Sequence, residues 1–258
     1  MKVACNQCNI TFCLDCGAKP HQPATCAAIA EWSQSQSESE FWVRKNSKPC
    51  PGCNARIEKN QGCNHMQCTN CNVQFCWLCL TQLSRHSEDH TCNRYNPSDH
   101  AENDEERRAL FVAERLDAHV QAGDYAESQM KKLAERPEKL VEIFGFLTSD
   151  DEEILFRSLQ TLWEARKYLQ NSYIASFGLR HDPASLRTLE KYQSSLEMLT
   201  ERLSQLTETN LQYLYTTKGE AGVVAHFKGL DFYRLSVFNH TERFTDVLFH
   251  PVHEDARA

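Results

Sequence analysis

The placement of its cysteines constrains this chain more than any other feature of the sequence. All 13 cysteines lie between Cys5 and Cys92, and ten of them form five Cys-x2-Cys pairs. A secreted disulfide scaffold normally shows an even number of cysteines and a secretion signal, and this sequence shows neither. In a reducing compartment such pairs indicate zinc, because one pair on a tight turn supplies two of the four ligands of a tetrahedral site.

Counting ligands groups the pairs into sites. Residues 50–92 supply two complete sets, and residues 5–26 supply one complete set and one half set. The predicted ligands are Cys50, Cys53, Cys68 and Cys71 for the first site, Cys76, Cys79, His86 and Cys92 for the second, Cys13, Cys16, His21 and Cys26 for the third, and Cys5 and Cys8 for the half site. His90 could replace His86 as a ligand. The missing partners of Cys5 and Cys8 would lie before Met1, so we expect two zinc ions in residues 50–92, and one complete and one incomplete site upstream.

Cys63 is the one cysteine that this count leaves over. It lies between the two pairs of the four-sulfur site, next to Gly62, and His65 follows two residues later. A cysteine with an imidazole in reach is a common arrangement of nucleophile and base, so Cys63 and His65 are the candidate catalytic residues. Two structural interpretations compete: Cys63 is a small buried side chain, or His65 is an alternative zinc ligand in a purely structural module.

After residue 97 the sequence has no cysteine and shows helical periodicity. The predicted fold class is therefore small zinc-stabilised modules of short β-hairpins and loops, followed by an all-α helical bundle. A Ser/Gln/Glu-rich linker at 27–49 separates the two Cys/His regions. The predicted helices run from residue 98 or 99 to 121, from 124 to 135 after a break at Gly123, from a capping box at 149–152, from a cap at Asp182, and from 232 to 249. The helix after Asp182 has a stripe of Leu189, Tyr192, Leu196, Leu199, Leu203 and Leu206.

Several short motifs accompany the zinc-ligand pairs of residues 50–95. They are Ile57-Glu58-Lys59, Gly62-Cys63-Asn64-His65-Met66, Phe75-Cys76-Trp77 and Cys92-Asn93-Arg94-Tyr95. With them the sequence resembles the catalytic RING2 module of RING-between-RING ubiquitin ligases, and more narrowly the Ariadne subfamily. Residues 5–26 resemble the latter part of the in-between-RING (IBR) zinc module. The resemblance implies the end of an IBR module at 1–26, a linker at 27–49, RING2 at 50–95 and an Ariadne-like helical domain at 98–250.

The resemblance implies a two-step transfer of ubiquitin. Ubiquitin would pass from an E2 conjugating enzyme to Cys63 as a thioester, and then to a substrate amine that His65 deprotonates. It also implies that the helical domain covers Cys63, with Tyr125 and Glu127 as candidates for the inhibitory face, and that a neddylated cullin–RING ligase relieves the block. Two features depart from the family: Gln74 stands where some members carry an acidic residue that orients the histidine, and RING1, which docks the E2, is absent from the chain.

The predicted function is thus an E3 ubiquitin ligase, with ubiquitin, an E2, a protein substrate and a neddylated cullin–RING ligase as partners. The alternative is a non-catalytic zinc adaptor that binds proteins through its helices. A net charge of −7 and the lack of a Lys/Arg stripe argue against nucleic acid as a partner. No run of eighteen apolar residues suggests a membrane span. We expect a cytoplasmic location, with an additional nuclear pool left open.

Overall fold

The computed structural model of the chain describes residues 2–5, 10–38, 47–59, 62–86, 91–96, 104–136 and 138–249. A first module (residues 2–26) and a second module (residues 47–96) precede a helical domain (residues 104–249). The strands are β1 (Lys2–Ala4), β2 (Thr11–Cys13), β3 (Ser47–Pro49), β4 (Arg56–Glu58), β5 (His65–Gln67) and β6 (Gln74–Cys76), and Leu83–Arg85 and Thr91–Asn93 are single 3-10 turns. The helices are α1 (Cys26–Glu38), α2 (Asp104–Ala134), α3 (Leu140–Ile143), α4 (Ser149–Gly178), α5 (Pro183–Thr207) and α6 (Leu211–Phe249). The predicted fold class is confirmed.

The strands form three short antiparallel hairpins, in the order β1–β2, β3–β4 and β5–β6. The turn of β3–β4 contains Cys50 and Cys53, and that of β5–β6 contains Cys68 and Cys71. The residue after each pair is an asparagine in the left-handed backbone region, with φ of 60° at Asn54 and 59° at Asn72. Asparagine tolerates this conformation better than most residues, and it lets the chain turn back so that both thiols of a pair face the same point.

The helical domain is built around α4, which packs against α2 on one side and against α5 and α6 on the other. Its core consists of fully buried aliphatic and aromatic side chains. They include Leu162, Leu169, Tyr173, Leu189, Leu196, Leu203, Phe227, Leu230, Val237 and Phe244. The stripe predicted on α5 therefore forms part of the core, with Tyr192, Leu199 and Leu206 at its edge. No helix of the described residues is long and apolar enough to cross a membrane.

The predicted break at Gly123 is wrong, because α2 continues from Asp104 to Ala134. Gly123 is buried in this helix, and a Cβ built on it would lie 3.7 Å from the Cβ of Arg166 in α4. A glycine inside a helix costs about 1 kcal/mol relative to alanine, and the packing of α2 on α4 outweighs that cost.

The starts of α4 and α5 follow the sequence signals closely. Thr148 caps α4 and forms a capping box with Asp151, one residue before the predicted start. The carboxylate of Asp182 accepts hydrogen bonds from the first turn of α5, as predicted. The last helix is longer than predicted, since α6 begins at Leu211 and passes a kink at Gly219, where φ is 64°.

Part of the predicted linker folds against the helical domain. Residues 26–38 form α1, and Trp32 packs edge-to-face on Phe177 of α4 with ring centroids 5.3 Å apart. A Cβ built on Gly178 would lie only 2.8 Å from the Cβ of Ala28, so the glycine permits this close approach. The Ser/Gln/Glu composition suggested a segment without a core, and α1 obtains one by sharing that of α4.

Candidate active site and metal centres

Three groups of four side chains bring their ligand atoms together. They are the three complete sets predicted from the sequence: Cys13, Cys16, His21 and Cys26; Cys50, Cys53, Cys68 and Cys71; and Cys76, Cys79, His86 and Cys92. Within each group all ligand atoms lie within 4.8 Å of one another. The sulfurs of Cys50 and Cys71 are 3.6 Å apart, and those of Cys53 and Cys68 are 3.7 Å apart. Thiolates at about 2.3 Å from a tetrahedral Zn²⁺ stand roughly 3.8 Å from each other, so this group has the dimensions of a zinc site.

The two histidines of these groups present Nε2 to the sulfurs. Nδ1 of His21 lies 2.8 Å from the carbonyl oxygen of Ala24. A carbonyl only accepts, so Nδ1 carries the proton and the lone pair of Nε2 faces the group, 3.4 Å from Cys16 Sγ. Nε2 of His86 lies 3.2 Å from Cys92 Sγ, and the alternative ligand His90 lies outside the described residues. By ligand type, number and spacing, the three groups are suited to zinc.

The half site at Cys5 and Cys8 stays a prediction, because Cys8 lies outside the described residues. The backbone at Cys5 nevertheless follows the pattern of the complete sites. Its N–H donates to the carbonyl of Ile10 at 2.9 Å, as the N–H of Cys50 does to the carbonyl of Ala55 at the same distance.

Cys63 lies in the loop between β4 and β5, outside the three groups, and α5 covers it. The residue is 4% exposed. Its Sγ donates to Oε2 of Glu201 at 3.3 Å, and its backbone N–H donates to Oε1 of Glu208 at 3.0 Å. The backbone N–H of His65 donates to Sγ at 3.3 Å. The thiol is thus held against two carboxylates of the helical domain.

Asn64 binds the same Glu201 carboxylate twice. Its backbone N–H donates to Oε2 at 2.7 Å, and its side-chain Nδ2 donates to Oε1 at 2.8 Å. The side-chain carbonyl of Asn64 accepts from Nζ of Lys59 at 2.7 Å. Lys59 therefore fixes the orientation of the Asn64 amide, with its NH2 group towards Glu201.

A buried ionic network of the helical domain lies behind this carboxylate. Arg166 of α4 donates from Nη1 to Oε1 of Glu201 at 2.7 Å and from Nη2 to the carbonyl of Gly62 at 3.4 Å. The same Nη1 lies 3.4 Å from Nδ1 of His119, whose Nε2 donates to Glu197 at 2.8 Å. His119 is therefore buried with charged partners, a setting that its sequence position did not indicate.

The electrostatics of the loop follow from these contacts. Burial, then the charges of Glu201 and Glu208, raise the pKa of the Cys63 thiol well above its ordinary value. Burial opposes ionisation of Glu201 as well, but the cations of Arg166 and Lys59 outweigh it and lower the pKa of that carboxyl. Burial lowers the pKa of Lys59 to about 8. In this arrangement Cys63 is a neutral thiol beside an ionised carboxylate.

The imidazole of His65 is paired with the helical domain as well. Its Nδ1 contacts the side-chain amide of Gln205, one turn beyond Glu201 on α5. Gln74, the residue that departs from the family, lies opposite Gln67 in the β5–β6 hairpin. His65, Gln74 and Gln205 line a groove of about 1060 Å³ between the second module and α5.

The backbone at Gly62 and the side chain of Tyr125 show how closely the helical domain packs against the loop that carries Cys63. A Cβ on Gly62 would lie 3.2 Å from Oε1 of Glu208 and 3.3 Å from Cδ1 of Tyr125. Tyr125 thus lies at the face that covers Cys63, as the resemblance suggested. Glu127, the second candidate, forms an exposed ion pair with Lys131 at 2.9 Å.

The residues of α5 that contact the second module were missed in the sequence. They are Glu201 and Gln205 of α5, and Glu208 at its C-terminal cap. With Glu197, which contacts His119 of the helical domain instead, they recur at intervals of four, four and three residues, which places them on one face of the helix. That spacing was a usable signal. The apolar stripe of the same helix masks it, because that stripe accounts for the helical periodicity by itself.

Comparison with known proteins shows which proteins this chain is similar to. The family model described as "IBR domain" matches residues 45–94. The chain is 34% identical over 220 residues to "Potential E3 ubiquitin-protein ligase ariadne-2" of Caenorhabditis elegans, which covers 80% of this chain and 45% of that protein. It is 33% identical over 220 residues to "E3 ubiquitin-protein ligase ARIH2" of Mus musculus (80% and 44%), and 31% identical over 222 residues to "E3 ubiquitin-protein ligase dbl4" of Schizosaccharomyces pombe (81% and 44%).

The chain spans less than half the length of these curated relatives. The matched model carries the IBR name on the second module, so the predicted division into an IBR part at 1–26 and RING2 at 50–95 stays a prediction. The matched stretch amounts to about four fifths of the chain, so it includes parts of the second module and of the helical domain. On these matches and its three zinc-type centres, the chain resembles a stretch of Ariadne-type RING-between-RING proteins, with the match to the IBR family model on its second module.

Proposed function

We propose that this chain carries the acyl-transfer step of an E3 ubiquitin ligase, with Cys63 as the nucleophile. The thiolate of Cys63 attacks the thioester carbonyl of an E2-bound ubiquitin, and the E2 thiolate leaves. A substrate amine then attacks the new thioester, an amide bond forms, and the Cys63 thiolate leaves. His65 accepts the proton of the attacking amine. Zinc, when bound, ties the hairpins of the second module together and so supports the loop that carries both residues.

The main observation that supports this proposal is the packing of the helical domain over Cys63. In the described part of the second module, Cys63 is the one cysteine outside the zinc-type groups. The helical domain places two carboxylates on it, from Glu201 and Glu208. A cysteine that only fills space needs no ionic partner, and carboxylates beside a thiol suppress its thiolate form. The arrangement is that of a restrained nucleophile, and it favours the ligase over the zinc adaptor.

The helical domain restrains both catalytic groups in this proposal. Glu201 and Glu208 hold Cys63 as a buried neutral thiol, and Gln205 occupies Nδ1 of His65. Release of α5 from the second module would expose both side chains together. In the ligase we propose an E2, ubiquitin and a protein substrate as partners, a neddylated cullin–RING ligase as the releasing partner, and the cytoplasm as the location.

The test uses the full chain with α5 loosened by Glu201→Ala and Glu208→Ala, called the opened variant below. It is incubated with ubiquitin carrying a carboxyl-terminal thioester to a small thiol, which bypasses the docking of an E2. We expect an adduct of one ubiquitin that a reducing agent removes. Cys63→Ser in the opened variant should convert it to a stable oxyester, and Cys63→Ala should abolish it, both with unchanged zinc content. A reducible adduct that persists in Cys63→Ala contradicts the proposal.

The role of His65 is tested by separating loading from discharge. In the opened variant, His65→Gln should still form the adduct but discharge it to free lysine about 100-fold more slowly, the size of a general-base contribution. Gln67→Ala, on the same hairpin as His65, is the matched control and should leave discharge unchanged. Equal discharge rates with and without the imidazole exclude His65 as the base.

A further inference from the structure

The carboxylate of Glu201 occupies a position that an acyl group would need during transfer. One of its oxygens, Oε2, lies 3.3 Å from the sulfur of Cys63. In thioester chemistry the carbonyl carbon bonds to that sulfur, and the carbonyl oxygen becomes a negatively charged oxygen next to it. A carboxylate oxygen in van der Waals and hydrogen-bond contact with Sγ resembles this oxyanion in charge and in position.

The groups that hold this oxygen belong to the second module and not to the helical domain. The backbone N–H of Asn64 donates to Oε2 at 2.7 Å, and Nδ2 of Asn64 donates to the neighbouring Oε1 at 2.8 Å. A single carbonyl oxygen placed between the positions of Oε1 and Oε2 would lie within hydrogen-bond reach of the backbone N–H and the Nδ2 of Asn64. The distances match those of donors that stabilise a tetrahedral oxyanion, which are about 2.7–3.1 Å.

The preceding backbone N–H supports the same conclusion. Cys63 N–H donates to the second carboxylate, Glu208 Oε1, at 3.0 Å. Two consecutive backbone N–H groups of the nucleophile loop thus each hold an anionic oxygen, and successive N–H groups of this kind form anion-binding concavities in proteins. In this structure the two oxygens come from Glu201 of α5 and from Glu208 at its C-terminal cap.

We propose that Asn64 is a catalytic residue whose backbone N–H and side-chain NH2 form an oxyanion hole for acyl transfer at Cys63, and that Glu201 inhibits by occupying this hole. The inference rests on the proposed function of Cys63. It assigns Asn64 a direct contact with the reacting carbonyl, and it makes the α5 contact an analogue of the transition state rather than a simple cover.

Lys59 is a positioning residue in this arrangement. Its Nζ donates to the side-chain carbonyl of Asn64 at 2.7 Å, on the side of the amide opposite to Glu201. Because the amide carbonyl is engaged by Lys59, the NH2 group points to the hole. Lys59 also contributes a positive charge near the developing oxyanion when α5 has left.

The lone pair of the Cys63 thiolate forms a C–S bond to the carbonyl carbon, and the C=O π electrons move to oxygen, where Asn64 N–H and Nδ2–H stabilise the charge. The oxyanion then collapses to a carbonyl and expels the original thiolate. No oxidant, reductant or further co-reactant is consumed.

The experiment compares two reactions of the same thiol in the opened variant. Loading from the small-thiol thioester of ubiquitin develops an oxyanion, whereas alkylation by iodoacetamide displaces iodide and develops none. We expect Asn64→Ala to slow loading about 100-fold, the effect of removing one oxyanion donor, with alkylation of Cys63 within about threefold of the opened variant. Asn64→Asp, which keeps the size and removes the NH2 donors, should slow loading at least as much.

Lys59 is tested by the same comparison and by rescue. Lys59→Met should slow loading about tenfold through loss of amide orientation, and Lys59→Arg should restore most of the rate, with alkylation nearly constant in both. Lys48→Met is the control, because Lys48 donates to the backbone carbonyls of Trp77 at 3.0 Å and Leu78 at 3.5 Å and not to the side-chain amide of Asn64. It should load at the rate of the opened variant.

Each outcome decides the proposal. Selective loss of loading in the Asn64 variants supports the oxyanion hole. Unchanged loading overturns it and leaves Cys63 as the nucleophile. Parallel loss of loading and alkylation also overturns it, because that pattern reports a less reactive or less exposed thiol. If the opened variant with intact Asn64 forms no adduct at all, the proposed function fails and this inference fails with it.

Discussion

Replacing Glu201 by leucine should expose Cys63 to solvent. Glu201 is 2% exposed and accepts four hydrogen bonds: from Cys63 Sγ, from the N–H and Nδ2 of Asn64, and from Arg166 Nη1. The leucine fills much of the volume but leaves the guanidinium of Arg166 buried against Gly62 without its carboxylate. Separation of α5 from the second module would let water reach that cation, so the penalty falls on the closed arrangement.

The size of the effect follows from this imbalance. Removing one partner of a buried ion pair costs about 3–5 kcal/mol. Taking the lower figure, about 3 kcal/mol, the open fraction rises roughly a hundredfold, since each 1.4 kcal/mol is about a factor of ten. The double variant Glu201→Leu with Arg166→Met removes both members of this buried ion pair. It should therefore be less open than Glu201→Leu alone, a non-additivity that only direct contact explains.

The assay is alkylation of Cys63 by iodoacetamide, followed by mass spectrometry of the peptide that contains it, in zinc-loaded protein. Glu153→Leu is the matched control, because Glu153 forms an exposed ion pair with Arg157 at 2.6 Å and such pairs contribute at most about 0.5 kcal/mol. Thermal unfolding shows whether the helical domain remains folded. An increase of less than fivefold in Glu201→Leu, or an equal increase in the control, would refute the reasoning.

Three further predictions follow from other contacts. Burial and two carboxylates raise the pKa of Cys63, so alkylation of Cys63 in the parent chain should stay slow up to about pH 9. Removing Glu201 and Glu208 should move the pH midpoint of the alkylation rate downward, and an unchanged midpoint contradicts this prediction. Chelation of zinc should unfold the second module, as monitored by NMR, while the circular dichroism of the helical domain stays helical. Simultaneous loss of the folded second module and of the helical signal would show that the two are a single folding unit. Gly178→Leu should destabilise the α1–α4 contact by about 1–3 kcal/mol, because the new Cβ would meet Ala28 at 2.8 Å. Limited proteolysis should then cut α1 faster than in the parent chain, and equal cutting rates would contradict the prediction.

The zinc-type centres could be predicted from the sequence almost completely. A Cys-x2-Cys pair folds through local backbone geometry, as the asparagine turns after Cys53 and Cys71 show, so spacing alone fixes which thiols are neighbours. The apolar stripe of α5 was predictable for the same reason, since helical periodicity is local. The break expected at Gly123 failed because the cost of a glycine is smaller than the packing energy that α2 gains on α4.

The environment of Cys63 depends on contacts between residues far apart in the chain. Glu201 and Glu208 follow Cys63 by more than a hundred residues, and nothing in the local sequence of either segment specifies the other. Only the packing of α5 beside the second module, supported by Arg166 of α4, brings the carboxylates to the thiol and to Asn64.

The sequence by itself therefore determined which cysteines form zinc-type groups, which cysteine is left over, and that helices follow. The tertiary structure decided the state of that remaining cysteine. Ligand spacing is a short-range property of the backbone, whereas burial and the charge around Cys63 arise from long-range packing of a separate domain. A nucleophile could be predicted from residue types, but its restraint, and the anion-binding loop on which that restraint acts, required the folded chain.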